Sequence, residues 1–483
     1  MLTAFGIDAE DFALGIPSLS HGDFNGDGLA DILIGAPLAD GPDNSRDGAG
    51  EAYVIFGRSQ LPTTLDLAKT QDLIISGGAQ GDALGFSVLG ADVNGDGRDD
   101  ILVGAPGASG LDDPRTDQGQ VYIFFGSEDL GGVLDIAKRP QALTITGAEG
   151  FSRVGHAIAS GDVNGDGTSD IVLGAPFAGR EPGTPPGGPR TELGETYVVL
   201  GGADLSEDIG IHRNEQDFTI SGGQQFGQFG GTVATGDLNA DDIEDIIVGA
   251  PQSDGSGDGP EASGAVYVFF GAEGLGGRVS IVEGAEAVLV VGAGERDSLG
   301  FPLATGDFNG DGIEDVAMGA QRAQARDGGK NASGVVYVML GRSDLAGVRD
   351  LAAGGEDAAI IGAQAAQLLP SSLAGGDLNG DGAADLVLGA GTAHGPGGRD
   401  SSGLTYVILG GPNLSTVNLA EGRQSLAIVG VDAGDLLGAS VAVAAIRGDQ
   451  MEIILMAAAA DGQDNTRTDS GEIYVVDAGP LGQ

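Results

Sequence analysis

Apolar residues in this chain come in short runs that stop at Gly, Asp, Asn or Pro, and no stretch of any length keeps a helical period. One repeat illustrates the pattern. A first run spans about Leu84 to Leu89, and a second, Ile101 to Val103, ends in Gly104-Ala105-Pro106. A Gly-, Asp- and Pro-rich connection leads to a third, Gln120 to Phe125; a Leu-Asp-Ile stretch then precedes a fourth, Leu143 to Ile145. Four short strands per repeat, joined by turn residues, is the pattern of a propeller blade.

The tyrosines count the blades. All seven occupy one repeat position: Tyr53, Tyr122, Tyr197, Tyr267, Tyr337, Tyr406 and Tyr474. The last repeat stops after its third strand, Ile473 to Val476, while Leu2-Thr-Ala-Phe-Gly6 lines up with fourth strands such as Leu143-Thr-Ile-Thr-Gly147. Pairing those two ends closes a ring and removes two open edges. The expectation is an all-β, seven-bladed β-propeller with four antiparallel strands per blade, closed by the N-terminal strand completing the last blade. Blades fall at about 8–77, 78–147, 148–222, 223–292, 293–362, 363–430, and 431–483 plus 1–7.

Between the first two runs, six repeats carry a nine-residue acidic loop, spaced 69 to 75 residues apart, with Asp, Asn, Asp and Asp at positions 1, 3, 5 and 9. Those side chains, with the backbone carbonyl of position 7, make an oxygen cage for a hard divalent cation, Ca²⁺ above all. The first three sets are Asp23, Asn25, Asp27, Leu29 and Asp31; Asp92, Asn94, Asp96, Arg98 and Asp100; and Asp162, Asn164, Asp166, Thr168 and Asp170. The other three are Asp237, Asn239, Asp241, Ile243 and Asp245; Asp307, Asn309, Asp311, Ile313 and Asp315; and Asp377, Asn379, Asp381, Ala383 and Asp385. Position 7 gives only its carbonyl, so Arg98 is tolerated with its side chain pointing outward. Gly at position 6 suits a left-handed turn. Position 12 is apolar (Ile34, Val103, Leu173), unlike an EF-hand, whose twelfth position is a carboxylate. Up to six Ca²⁺ are expected. The fourth site ranks weakest, because Ala240 and Asp242 replace both glycines, and the seventh blade has none, since Ala444 to Glu452 has lost the pattern.

Charge narrows the partners. The formal net charge is −49, which opposes nucleic acid and anionic membranes, and six divalent cations would leave most of it uncompensated. No apolar run is long enough to span a membrane as a helix. There is no cysteine, so neither disulfides nor thiolate metal sites enter. Loops of this kind bind calcium at about 10⁻⁴–10⁻³ M in extracellular modules, which favours an exported protein, at the cell surface or in the medium.

The combination of Leu84-Gly85-Phe86, the acidic loop, Gly104-Ala105-Pro106 and the tyrosine strand resembles the FG-GAP repeats of the integrin α-subunit head and their bacterial relatives, over essentially the whole chain. Gly-Ala-Pro is intact in the first four repeats, becomes Gly319-Ala-Gln and Gly389-Ala-Gly in the next two, and is lost in the seventh. The resemblance implies acidic loops on one face holding Ca²⁺, and an opposite face that meets ligand. It implies an adhesion or recognition module for a protein or glycan, as a monomer or part of a larger chain. The alternatives are a calcium-stabilised propeller enzyme acting on polysaccharide, a lyase or hydrolase, and a structural surface or matrix component.

No catalytic constellation is visible. His21, His156, His212 and His394 are scattered without zinc or catalytic spacing. Arg447-Gly448-Asp449 spells an integrin-recognised tripeptide but sits in the decayed seventh loop. Asn331 and Asn413 begin glycosylation sequons. Several second-to-third-strand connections place Arg near Asp, as in Arg46-Asp47, Arg115 with Asp117, Arg326-Asp327, Arg399-Asp400 and Arg467 with Asp469. There an ion pair or a backbone cap holding the hairpin is expected. The longest connection runs from Phe177 to Leu193.

Overall fold

A computed structural model describes residues 2–5, 18–67, 71–109, 117–138, 143–148, 150–179, 192–205, 208–255, 260–324, 332–365, 367–448, 450–460 and 471–477. Asp449, Arg115, Arg326-Asp327, Arg467, Asp469, Asn331 and most of the connection after Phe177 lie outside them. Seven sheets follow one another along the chain, and helix among the described residues is limited to three-residue 3₁₀ turns and a single helical residue, Leu67. The chain is a seven-bladed β-propeller.

The second blade is representative. Its four antiparallel strands are Ser87–Ala91, Asp100–Ala105, Gln120–Phe124 and Leu143–Thr146. The first strand begins later than the hydrophobic run because Ala83 (φ 55°) and Gly85 (φ 86°) hold the chain in a turn. The second strand is buried along its whole length in every blade, from Asp31–Ala36 to Glu452–Ala457, having neighbours on both faces. Closure is as expected: Leu2 pairs with Val475 and Phe5 with Glu472, antiparallel, so the first residues complete the last blade.

Each blade buries its apolar side chains against its neighbours. One cluster joins Leu33, Val54 and Ile75 of the first blade to Val103, Tyr122 and Ile136 of the second; the remaining boundaries repeat this, including the one between seventh and first. Every tyrosine lies in such a cluster, which is why it recurs once per blade. The two glycine motifs meet here too. A Cβ on Gly35, of the first Gly-Ala-Pro, would stand 1.9 Å from the carbonyl oxygen of Gly85, of the next blade's Leu-Gly-Phe. Gly104 and Gly155 repeat the contact at 2.3 Å. The blades approach backbone to backbone, and only glycine leaves room.

Six of the seven sheets hold a fifth strand that the sequence pattern did not separate from its surroundings. It runs parallel to the fourth strand and comes from the next blade, from the Leu-Asp-Ile stretch between third and fourth strands: Gly132–Asp135, for example, pairs with Leu73–Ser76. It is too short to announce itself by alternation, and it is partly exposed.

Candidate functional site

The acidic loops are the turns between first and second strands, so all six lie at one end of the blades. Within each, the position-1 carboxylate is the hub. Asp23 accepts backbone N–H bonds from Gly26 (2.8 Å), Asp27 (3.0 Å) and Gly28 (2.8 Å). Asp92, Asp162, Asp307 and Asp377 do the same. Asp27 in turn accepts from the position-7 amide of Leu29 at 2.9 Å. In the fourth loop Asp237 holds Asp241 and Asp242, but the bond from position 4 has no counterpart there. Ala240 (φ 61°) and Asp242 (φ 65°) occupy the left-handed conformation that glycine fills elsewhere, a backbone cost the other loops avoid.

The ninth-position aspartates have a task beyond the one their spacing suggests. Asp31, Asp100, Asp170, Asp245, Asp315 and Asp385 are fully buried. Asp31 accepts from Phe24 N at 3.0 Å and from Gly57 N at 2.8 Å, tying the loop to the end of the third strand; the other five repeat both bonds. Burial, reinforced by the acids at positions 1 and 5, pushes their carboxyls up to about 7 at Asp31, Asp100 and Asp245. Asp315 reaches about 7, and Asp170 and Asp385 about 6, again chiefly through burial. Three acids per loop therefore sense one another, a crowding that a bound cation would relieve.

The donor set fits a hard cation in kind: it contains oxygen only, and the Asn309 Oδ1 atom is buried without a hydrogen-bond partner. Among the described residues no three His, Asp or Glu side chains stand close enough together to form a ready metal shell. In this structure the position-1 oxygens face loop amides instead. Arg98 points outward as expected, its Nη2 3.0 Å from Glu128 Oε1.

Two sets of residues beside these loops escaped the sequence pattern. Position 8 is acidic in three loops, and these acids reach the preceding blade: Asp99 accepts from Asp23 N at 2.8 Å and Glu314 from Asp237 N at 3.2 Å, while Glu244 bonds the backbone of Asp162. In the seventh blade, Arg447 pairs with the buried Glu452, so its guanidinium is engaged internally rather than presented as part of an adhesive tripeptide.

The opposite face carries the connections from second to third strand and from each fourth strand to the next blade. Arg46 there ignores its neighbour Asp47 and pairs with Asp135 of the next blade at 2.8 Å, while also donating to the carbonyls of Gly77 and Gly78. Arg399 donates to the carbonyls of Gly430 and Val431, both at 2.8 Å. These arginines cap backbone, in line with a structural role. His21 lies in the first blade, His156 and His212 in the third and His394 in the sixth. His156 packs at a tilt against Phe86 (4.8 Å) and edge-on against Phe177 (6.3 Å), with Arg153 5.2 Å over the Phe177 ring. Burial, with Arg153 adding to it, lowers the imidazole to about 4.

On the same face, Phe151 and Phe226 are 50% and 60% exposed, at left-handed φ of 63° and 62°. They hold one repeat position, which is glycine at Gly81 and Gly434. That alignment was the available signal, and the sequence pattern alone gives it no weight.

The family described as FG-GAP repeat matches residues 16–55, 84–124, 154–199, 229–269, 303–339 and 369–408. Phosphatidylinositol-glycan-specific phospholipase D of Homo sapiens is 29% identical over 236 residues, 48% of this chain and 26% of that protein. Integrin alpha pat-2 of Caenorhabditis elegans is 31% identical over 252 residues, 50% of this chain and 18% of the relative. Integrin alpha-PS2 of Drosophila melanogaster is 28% identical over 276 residues, 56% and 18%. The chain thus matches about a fifth to a quarter of each relative's length. A solved structure of the V. cholerae biofilm matrix protein Bap1 aligns over 99% of this chain and 92% of its own at 13% identity, with a TM-score of 0.39, too low to carry an argument. No helix among the described residues is long and apolar enough to cross a membrane.

Proposed function

The chain belongs to the FG-GAP repeat family, and on that footing we propose that it is a calcium-stabilised, non-catalytic recognition propeller, exported to the cell surface or medium. It binds a protein or glycan with the face opposite its acidic loops. The observation that carries this reading is the pair Phe151 and Phe226. A bulky residue in the left-handed region costs on the order of 1–2 kcal/mol, and an exposed ring gains little burial in return. Gly81 and Gly434 hold the same position in other blades at no such cost. Two aromatic rings in adjoining loops on a rigid scaffold offer apolar faces to a sugar ring or an apolar side chain.

Calcium belongs to the proposal through donor chemistry. Positions 1, 3, 5 and 9 with the position-7 carbonyl would hold it, and the ion would supply a cross-link between hairpins whose acids otherwise repel. Because the chain spans only a fraction of the integrin and phospholipase relatives, the activities of those whole proteins are not carried over.

The test is a glycan and matrix-protein array probed in calcium with the protein and with a Phe151→Ser/Phe226→Ser double variant. Binding lost in the double variant, at an unchanged melting temperature, is the expected result. Equal binding by both proteins would sink the reading, and cleaved ligand would favour the polysaccharide-enzyme alternative.

A further inference from the structure

Six sheets end in a parallel fifth strand donated by the next blade, and the residue after that strand is aliphatic, Leu67, Ile136, Ile211, Ile281, Leu351 or Leu419, opening a 3₁₀ turn in the last five. Five of these are at most 4% exposed, wedged between blades. The residue before the turn also has a function. Asp135, Ser280, Asp350 and Asn418 each accept the amide two residues on, and Asp135 also pairs with Arg46. The donated segment is thus an aliphatic wedge preceded by a polar cap, bonded to the sheet edge through its backbone.

The sixth sheet lacks this strand among the described residues. Its outer strand, Leu426–Val429, is mostly half-buried, with one residue exposed, where Leu73–Ser76 and Val288–Val291 are buried throughout. Beside it lies a pocket whose lining includes Val431, Asp435, Leu437, Ala457, Tyr474 and Val476. In repeat register these are Gly78, Asp82, Leu84, Ala105, Tyr122 and Phe124 of the first boundary. The last four of those pack in one cluster with Ile136, and a Cβ on Gly78 would stand 3.1 Å from it. The pocket is the wedge's seat without the wedge, somewhat narrowed by Val431.

Charge marks the same place independently. Arg399 is the counterpart of Arg46 and donates to the equivalent carbonyls, Gly430 and Val431 for Gly77 and Gly78. Arg46 has Asp135 as its carboxylate partner; Arg399 has none among the described residues.

We propose that this edge is a strand-acceptor site for a polypeptide segment. The occupant is an extended segment of the pattern aliphatic–Asp–aliphatic, added parallel to Leu426–Val429. Its Asp meets Arg399, and its second aliphatic residue fills the pocket. Backbone bonds to a free edge supply adhesion, while the pocket and the cation select the sequence. The site does not depend on the reading of the opposite face.

The experiment uses the chain in calcium with a fluorescent peptide copying residues 130–138, read by anisotropy. Saturable one-to-one binding is expected, blocked by Val431→Trp at an exposed position. Replacing the peptide's Asp by Asn weakens binding about tenfold on the unaltered protein and scarcely on Arg399→Gln, because the two charges act as a pair. If Arg399→Gln fails to fold, the two peptides on the unaltered protein still decide. No saturation at millimolar peptide, or equal affinity of both peptides, overturns the proposal. So does binding that appears only once residues 478–483 are removed, for then the groove belongs to the chain's own end.

Discussion

Arg447 Nε donates to Glu452 Oε1 at 2.6 Å, in the one blade that lacks an acidic loop, and Glu452 stands where the other six carry their ninth-position aspartate. Glu452 is only 4% exposed, and the bond raises the arginine above its already high ordinary pKa. A tethered guanidinium therefore meets the buried acid at this turn.

Removing that cation leaves a buried carboxylate without its partner. Arg447→Gln should cost about 2 kcal/mol, by the same amount in calcium and in chelator, since no metal loop is involved. Denaturant melts under both conditions check this. A loss seen only in calcium would contradict an internal ion pair.

The six acidic loops should behave in the opposite way. With calcium at ten times Kd, each site contributes roughly 1.4 kcal/mol and six together about 8 kcal/mol, comparable to the net stability of a whole domain. Chelator should therefore lower the melting temperature steeply, and Asp162→Ala should remove about one site's share. An unchanged melt in chelator, or no calcium bound by titration calorimetry, would dispose of the metal reading.

The fourth loop gives a finer test. Ala240 sits at φ 61°, where glycine is found in the other five. Ala240→Gly should stabilise the chain by about 0.5–1 kcal/mol by relieving that strain, and should strengthen calcium binding at this loop. The matching change in a relaxed loop, Gly165→Ala, should do the reverse. Equal effects of the two would show that the conformation carries no strain.

The parts of the architecture readable in the chain were those written once per blade. Tyr122 and its repeats could be counted because each lies in a boundary cluster, and Gly35 and Gly85 could be matched because their backbones touch. The closing strand was legible because Leu2-Thr-Ala-Phe copies Leu143-Thr-Ile-Thr. What stayed hidden depends on neighbours in space. Gly132–Asp135 is too short to show a period and is a strand only because Leu73–Ser76 lies beside it. Asp31 read as a ligand position, whereas its bond to Gly57 depends on a third strand more than twenty residues away. Arg46 sits next to Asp47 in sequence but reaches across a blade boundary to Asp135.

His156 predicts a pH dependence of definite sign. Its imidazole, held to about 4 between Phe86 and Phe177 with Arg153 the charged group beside it, stays neutral where the unfolded chain's histidine, near 6.5, takes a proton. Between those values the unfolded state binds more protons, so stability falls as pH falls from about 6.5 to 4. The loss is about 2 kcal/mol for a group not wholly sealed from water. Melts of the unaltered chain and of His156→Phe, compared in calcium at pH 7 and pH 4.5, isolate it. The difference between the two proteins should shift in favour of the variant at the lower pH, and a constant difference would rule the histidine out.

Phe226 offers the sharpest separation of stability from function. It is 60% exposed at φ 62°, and the same turn is made by Gly81 and Gly434 in other blades. If its only consequence were structural, Phe226→Gly would be neutral or would stabilise the chain by about 0.5–1 kcal/mol, since glycine enters the left-handed region without strain. On the proposed reading the local cost is repaid through a ligand, so the same variant should lose ligand binding while melting at the same or a higher temperature. Melting curves and the array used for the double variant give both readings from one preparation. Should Phe226→Gly instead melt markedly lower, the ring would be holding the loop together, and the exposed pair would no longer point to a binding face.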